Sequence, residues 1–280
     1  MNLRAAFLEC TGDLWLNVAD KLSDERGWTP VYWTGAQRMR PTVMRRFPQA
    51  VFHDNTEAVK GRPPADGGPW SLPPIDDGLL ADLSRTESIA LRMMDRIDAD
   101  GSFTYHERLE LYYRQVRWAS AVLDRLRPDV VVCSSPPHLV YDYVLYRLCL
   151  LRNVRTVVFN ETAVNGLILA SPTFEADHAA LQSRYRRLVD DGEAVRPSPS
   201  VKAYLARIEG DYAQAVPGYV KDLYDYQPEG RPPAAAEATT TERVVETARE
   251  RLRWNPLGVV EKIRRGAARI FAPRRDAEEK

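Results

Sequence analysis

Along the chain, short apolar runs alternate with polar turns and with longer segments whose apolar residues recur every three or four positions. The clearest stretch runs from Arg127 to Thr162. Asp129-Val130-Val131-Val132-Cys133 is nearly all apolar and follows a proline, the pattern of a strand buried on both faces. Leu139 to Leu151 carries apolar residues at helical spacing, and Arg155 to Phe159 reads as a second buried strand. Together they predict a strand–helix–strand unit with a crossover of ordinary length.

The first half repeats the same grammar. Leu3 to Leu8 reads as a strand, Glu9 to Asp13 as a turn, and Leu14 to Arg26 as a helix ended by Gly27. Its apolar face is Trp15, Val18, Ala19 and Leu22. Pro30 to Trp33, closed by Thr34-Gly35, and Ala50 to Phe52, closed by His53-Asp54-Asn55, give two more strands. Gly61 to Gly78 breaks the pattern with many prolines and glycines, and a loop of that length is expected to be functional or mobile. Helices are predicted over Leu79–Ile97 and Tyr105–Arg127. Beyond Thr162 strand patterning fades. Phe174–Asp190 and Ser200–Tyr224 read as helices, Gln227–Thr241 as a Pro/Ala/Thr-rich linker, and Glu242–Phe271 as a helical piece broken at Asn255-Pro256.

Parallel sheets bind ligands in the crevice outside the carboxyl ends of their strands. The residues following each predicted strand therefore matter most. Thr11, Gly12 and Asp13 follow the first, and His53, Asp54 and Asn55 the third. Ser134, Ser135 and His138 follow the fourth, Asn160 and Glu161 the fifth. His138 is predicted to open a helix, where free N–H groups suit an anion such as a phosphate. His138, His53, Glu161 and Asp13 are the candidate proton-transfer groups, because activating a hydroxyl needs a carboxylate or imidazole. Thr11, Gly12, Asp54, Asn55, Ser134, Ser135, Asn160 and Tyr141 are the candidate substrate contacts. The aromatic residues of the long helix (Tyr112, Tyr113, Trp118) read as core packing.

Composition narrows the classes. The chain has 280 residues, zero formal net charge, 44% hydrophobic and 28% charged residues, which gives no footing for nucleic-acid binding. Three cysteines, two of them in apolar runs, predict a reduced, cytoplasmic protein with buried thiols. No dinucleotide fingerprint, phosphate loop, nucleophile elbow or zinc-protease motif is present, and no Cys/His spacing predicts a metal site. The segment 249–275 is strongly basic, with nine Lys/Arg against Glu250 and Glu261, and it carries an apolar stripe. It suits either an anionic membrane surface, here the inner face, or packing on its own domain or a partner.

Four runs carry a resemblance. Glu107–Trp118 (ERLELYYRQVRW), Arg127–Val132 (RPDVVV) and Pro137–Cys149 (PHLVYDYVLYRLC), with Val51–Gly61 (VFHDNTEAVKG), resemble the N-terminal half of bacterial capsule and surface-polysaccharide biosynthesis proteins. Those are similar to glycosyltransferases of the two-Rossmann, GT-B type. The resemblance covers about residues 1 to 170. It implies sugar transfer from a nucleotide sugar acting as substrate, without a further cofactor, and an acceptor carbohydrate held by this half. The donor is expected on a second Rossmann domain or a partner protein, since no second strand–helix–strand series reads after Thr162. The expected fold class is α/β: a Rossmann-like open parallel sheet with flanking helices over 1–172. A helical arm (173–226), a linker (227–241) and a basic amphipathic helix and tail (242–280) follow. The alternative reading is a non-catalytic scaffold of a polysaccharide assembly complex, docking through the basic helix.

Overall fold

The computed structural model describes residues 2–96, 98, 101–162, 164, 167–175, 179–192 and 196–210. Six strands form one sheet. They are β1 (Arg4–Leu8), β2 (Thr29–Gly35), β3 (Val51–Asp54), β4 (Val130–Cys133), β5 (Arg155–Glu161) and β6 (Ile168–Ser171). Their spatial order is β3-β2-β1-β4-β5-β6. The first five are parallel, and β6 runs antiparallel to β5. The α/β class and the parallel sheet with flanking helices are as the apolar runs predict. The β6 edge was not predicted: Leu167–Ala170 is apolar, but it lies past Thr162, where strand patterning was expected to fade, and the strand's burial pattern is exposed–half-buried–exposed–buried.

The helices are α1 (Asp13–Arg26), α2 (Arg40–Arg46), α3 (Asn55–Val59), α4 (Asp77–Met93), α5 (Tyr105–Leu126), α6 (Tyr141–Leu151), α7 (Ala179–Asp190) and α8 (Pro199–Glu209). Gly27 ends α1 with φ 66°, donating back to the last turn. Thr104 and Glu107 form a capping box at the start of α5, an arrangement worth about 1 kcal/mol.

One face of the sheet buries Phe7, Trp33, Phe52, Val130 and Val132 against Leu16 and Ala19 of α1 and Val43 of α2. Phe7 and Trp33 stack at 4.7 Å between ring centroids. On the other side α4, α5 and α6 pack together. Trp118 of α5 meets His53 edge-on at 4.8 Å and lies 6.1 Å from the ring of Tyr141.

The chain steps outward from β1 to β3, then places β4 on the opposite side of β1. The order reverses there, so the crevice between the carboxyl ends of β1 and β4 is the switch point. Leu8 pairs with Cys133, which brings the two strand ends level.

The loop after Gly61 is pinned to α5. Arg117 donates to the carbonyls of Leu72 (3.1 Å) and Pro73 (3.0 Å), and Arg125 to those of Pro69 (3.3 Å) and Gly67. Arg125 also covers the Trp70 ring at 4.6 Å. These contacts lie along the half of α5 that leads to the amino end of β4, away from the switch point.

The chain divides after Ser200 into two compact units, Met1–Ser200 and Val201–Lys280. The predicted boundary at 172 falls inside the first unit. Phe174 packs on Tyr143 and Tyr146, and Glu175 accepts from Tyr146 Oη at 2.6 Å. The predicted linker (227–241) and basic segment (242–280) lie outside the described residues. No helix among the described residues is long and apolar enough to cross a membrane.

Candidate functional site

The loop leaving β1 and the loop leaving β4 meet at the switch point. Glu9 adopts φ 53°, a left-handed conformation uncommon for a non-glycine residue. Its N–H donates to Thr34 Oγ1 at 2.7 Å, and its carbonyl accepts from Ser134 Oγ at 2.8 Å. The backbone of Glu9 is thus tied to β2 on one side and to the β4 loop on the other. Ser135 Oγ donates to Glu9 Oε2 at 3.3 Å, and His138 Nδ1 lies 3.7 Å from the same oxygen.

The β4–α6 loop is set by Asp142. Its Oδ2 accepts the His138 N–H at 2.8 Å, and its Oδ1 accepts from Leu139 (2.8 Å) and Tyr143 (2.7 Å). Val140, fully buried, sits at φ 68°, ψ −61°. The Tyr141 N–H donates to the Leu139 carbonyl at 2.8 Å, which closes a γ-turn of the rare strained kind. Such strain persists only where the surroundings over-determine it, as the three Asp142 bonds do here. The helix begins at Tyr141 rather than His138, and the N–H groups expected to be free for an anion are taken by Asp142.

His138 Nδ1 lies 2.9 Å from the Pro136 carbonyl. A carbonyl only accepts, so in the neutral ring Nδ1 carries the proton and Nε2 keeps its lone pair. The side chain is 37% exposed. Ser135 Oγ, 3.5 Å from His138, approaches the same ring nitrogen that faces Glu9. The imidazole therefore does not bridge a serine and an acid through its two nitrogens, and the set is not a serine-hydrolase triad. Burial pushes the Glu9 carboxyl above its ordinary value, with the Asp142 charge adding to the rise and His138 and the Ser135 bond opposing it. Burial also raises the Asp142 carboxyl, against the hydrogen bonds it accepts.

The other predicted residues divide clearly. Thr11 and Gly12 lie exposed on the loop into α1 and Asp13 exposed in its first turn, with Gly12 at φ 103°. Tyr141 is fully buried; its Oη donates to Asn55 Oδ1 at 2.7 Å and lies 3.2 Å from Thr34 Oγ1, linking the start of α6 to the ends of β2 and β3. Asp54 caps α3, accepting from Thr56 and Glu57. His53 is buried: its Nδ1 meets Tyr32 Oη at 2.7 Å and its Nε2 meets the Arg62 carbonyl at 3.0 Å. Asn160 ties β5 to β6 through Ser171 Oγ at 3.5 Å. Glu161 is exposed at the end of β5, paired with Ile168 of β6, one strand beyond β4.

In the sequence Glu9 and Thr34 read only as polar residues at strand ends, without a role, and Asp142 was not singled out. Glu9 was legible as the first residue past the central strand. Asp142 follows His138 by four positions, and a short-range acid that returns to cap its own loop leaves no motif. Hollows lined by Leu123, Arg127, Asp129 and Arg152, and by Leu3, Trp28, Asn153 and Arg155, open at the amino ends of the strands. The titratable cluster lies at the other end, where parallel sheets hold ligands. Compared with models of protein families, with curated proteins and with solved structures, the chain finds no match.

Proposed function

We propose that this chain is a glycosyltransferase-like, acceptor-binding protein of surface-polysaccharide assembly, with the crevice between β1 and β4 as its carbohydrate site. The observation that carries the reading is His138, with Nδ1 fixed by a carbonyl at 2.9 Å and backed by the Glu9 carboxylate at 3.7 Å. That arrangement leaves Nε2 to take the proton of an acceptor hydroxyl. The hydroxyl oxygen then bonds to the anomeric carbon of a nucleotide sugar, and the nucleoside diphosphate leaves. The imidazolium so formed faces two carboxylates, Glu9 and Asp142, which stabilise it. Asp142 is a positioning residue, since it holds the loop that carries His138. The donor would sit on a second Rossmann domain or a partner protein.

The test is thermal unfolding of the full chain with a panel of nucleotide sugars and short oligosaccharides. Stabilisation grows with ligand concentration over Kd. A hit that disappears in His138→Ala and weakens in Glu9→Gln supports the reading. Silence across the panel sinks it and favours a scaffold. A separate observation supports that second reading. Leu181, Tyr185 and Val189 form a stripe along α7 and are 55%, 67% and 59% exposed, an apolar face of the kind partners cover.

A further inference from the structure

A second property of this crevice goes beyond sugar binding and does not rest on it. A carboxylate oxygen of Glu9, a carboxylate oxygen of Asp142 and a ring nitrogen of His138 all lie within 4.8 Å of one another. Among the described residues no other set of three His, Cys, Asp or Glu side chains is so placed. Residues separated by about 130 positions are brought together by the β1–β4 pairing, which is why no local motif announces them.

The charges are out of balance. Asp142 is 2% exposed and Glu9 is half-buried beside it. Among the described residues no Lys or Arg is ion-paired with either, and the single basic neighbour is the imidazole at 3.7 Å. Buried carboxylates are ordinarily paired with a cation or coordinate a metal. Asp142 also has the form of a metal ligand. Three backbone N–H groups fix its orientation, and a carboxylate with about four acceptor positions keeps one to spare.

We infer that Glu9, His138 and Asp142 form a binding site for a divalent transition-metal cation at the switch point of the sheet. One imidazole and two carboxylates suit Zn²⁺ or Mn²⁺, whereas Mg²⁺ and Ca²⁺ prefer oxygen alone. Two carboxylates also neutralise the ion. Bond lengths of about 2.0–2.2 Å require the three ligand atoms to draw closer than they stand. The half-buried Glu9 side chain can move, while Asp142 and the His138 backbone are held. Three protein ligands leave positions open to the crevice. Coordination through Nδ1 would replace its bond to the Pro136 carbonyl and put the ring proton on Nε2, so His138 would act as a ligand in the metal-bound form and as a proton acceptor in the metal-free form. The cation would supply Lewis acidity toward a water or hydroxyl in the crevice.

The experiment is titration of the chelator-treated full chain with ZnCl2 by calorimetry and with MnCl2 by electron paramagnetic resonance, with MgCl2 as control. The expected result is one equivalent of Zn²⁺ and of Mn²⁺. The Mn²⁺ arm excludes binding at Cys10, Cys133 or Cys149, since thiolates select softer ions. Glu9→Gln and His138→Ala should each weaken binding about tenfold or more, with circular dichroism confirming that both remain folded. The absence of saturable binding, or affinity unchanged in both variants, overturns the site. The readout is metal stoichiometry, so it is independent of whether any sugar binds.

Discussion

His53 allows the packing of the sheet to be tested quantitatively. Its imidazole is 1% exposed, edge-on to Trp118, with both nitrogens engaged. Nε2 donates to the Arg62 carbonyl, so Nδ1 must accept from Tyr32 Oη. A second proton would set a donor against that hydroxyl and charge a ring with no water around it. Burial accordingly lowers the pKa from 6.5 to about 4, with the Arg62 carbonyl and the Glu57 charge opposing the fall. The sign follows from linkage. The unfolded chain takes up the proton near 6.5 and the folded chain does not, so the stabilisation is complete above pH 6.5 and falls as pH drops toward 4. The full gap is worth about 3 kcal/mol, and about 2 kcal/mol of it is lost by about pH 5. Urea unfolding followed by tryptophan fluorescence, from about pH 7.5 to about pH 5, reads the loss. Comparison with His53→Gln isolates it from the carboxyl groups, because that variant lacks this pH dependence. A His53 ring proton that titrates above pH 6, or equal slopes in the two proteins, would refute the assignment of a neutral core histidine.

Three further outcomes are expected. Tyr141→Phe keeps the ring but strands Asn55 Oδ1 and removes a partner of Thr34; it should cost about 1–2 kcal/mol in urea unfolding, and a loss near zero would mean the bonds are not made. Gly61 has φ +71°, and a Cβ there would stand 2.9 Å from Leu111 Cδ1 and 3.1 Å from Arg114 Cβ. Gly61→Ala should therefore destabilise by about 1–3 kcal/mol, and unchanged stability would show that the turn relaxes freely. Glu9 carries the opposite sign to His53: its folded pKa is raised, so its contribution is present below 4.5 and is lost as pH rises through the folded value. Glu9→Gln should leave the protein as stable or more stable at neutral pH, with a flatter dependence above 4.5; a loss greater than about 1 kcal/mol would contradict the burial cost of the Glu9 charge and its repulsion with Asp142.

Much of the fold was legible because strands buried on both faces must be apolar throughout. Val130–Cys133 and Ala5–Leu8 satisfy that rule, and the loops that follow them are polar. The edge strand β6 was missed although Leu167–Ala170 is apolar, because the run is short and stands outside the strand–helix–strand series; three of the strand's four residues retain contact with solvent. The short α3 was missed because it depends on the Asp54 cap rather than on periodicity. The candidate site was half legible. His138 and Ser135 stood out by position, but their partners Glu9 and Asp142 acquire meaning only when the switch point brings two loops together. His53 has the opposite history. In the sequence it sits in a polar HDN turn, yet it is the third residue of β3 and points at Trp118.

The central claim is that ligands enter between the carboxyl ends of β1 and β4. Amide hydrogen exchange of the full chain, with and without the sugar or nucleotide sugar that stabilises it most, tests this directly. New protection is expected at residues 9–12 and 134–139. Protection confined to the amino ends of the strands, around Asp129 and Asn153–Arg155, with residues 9–12 and 134–139 unchanged, would contradict it.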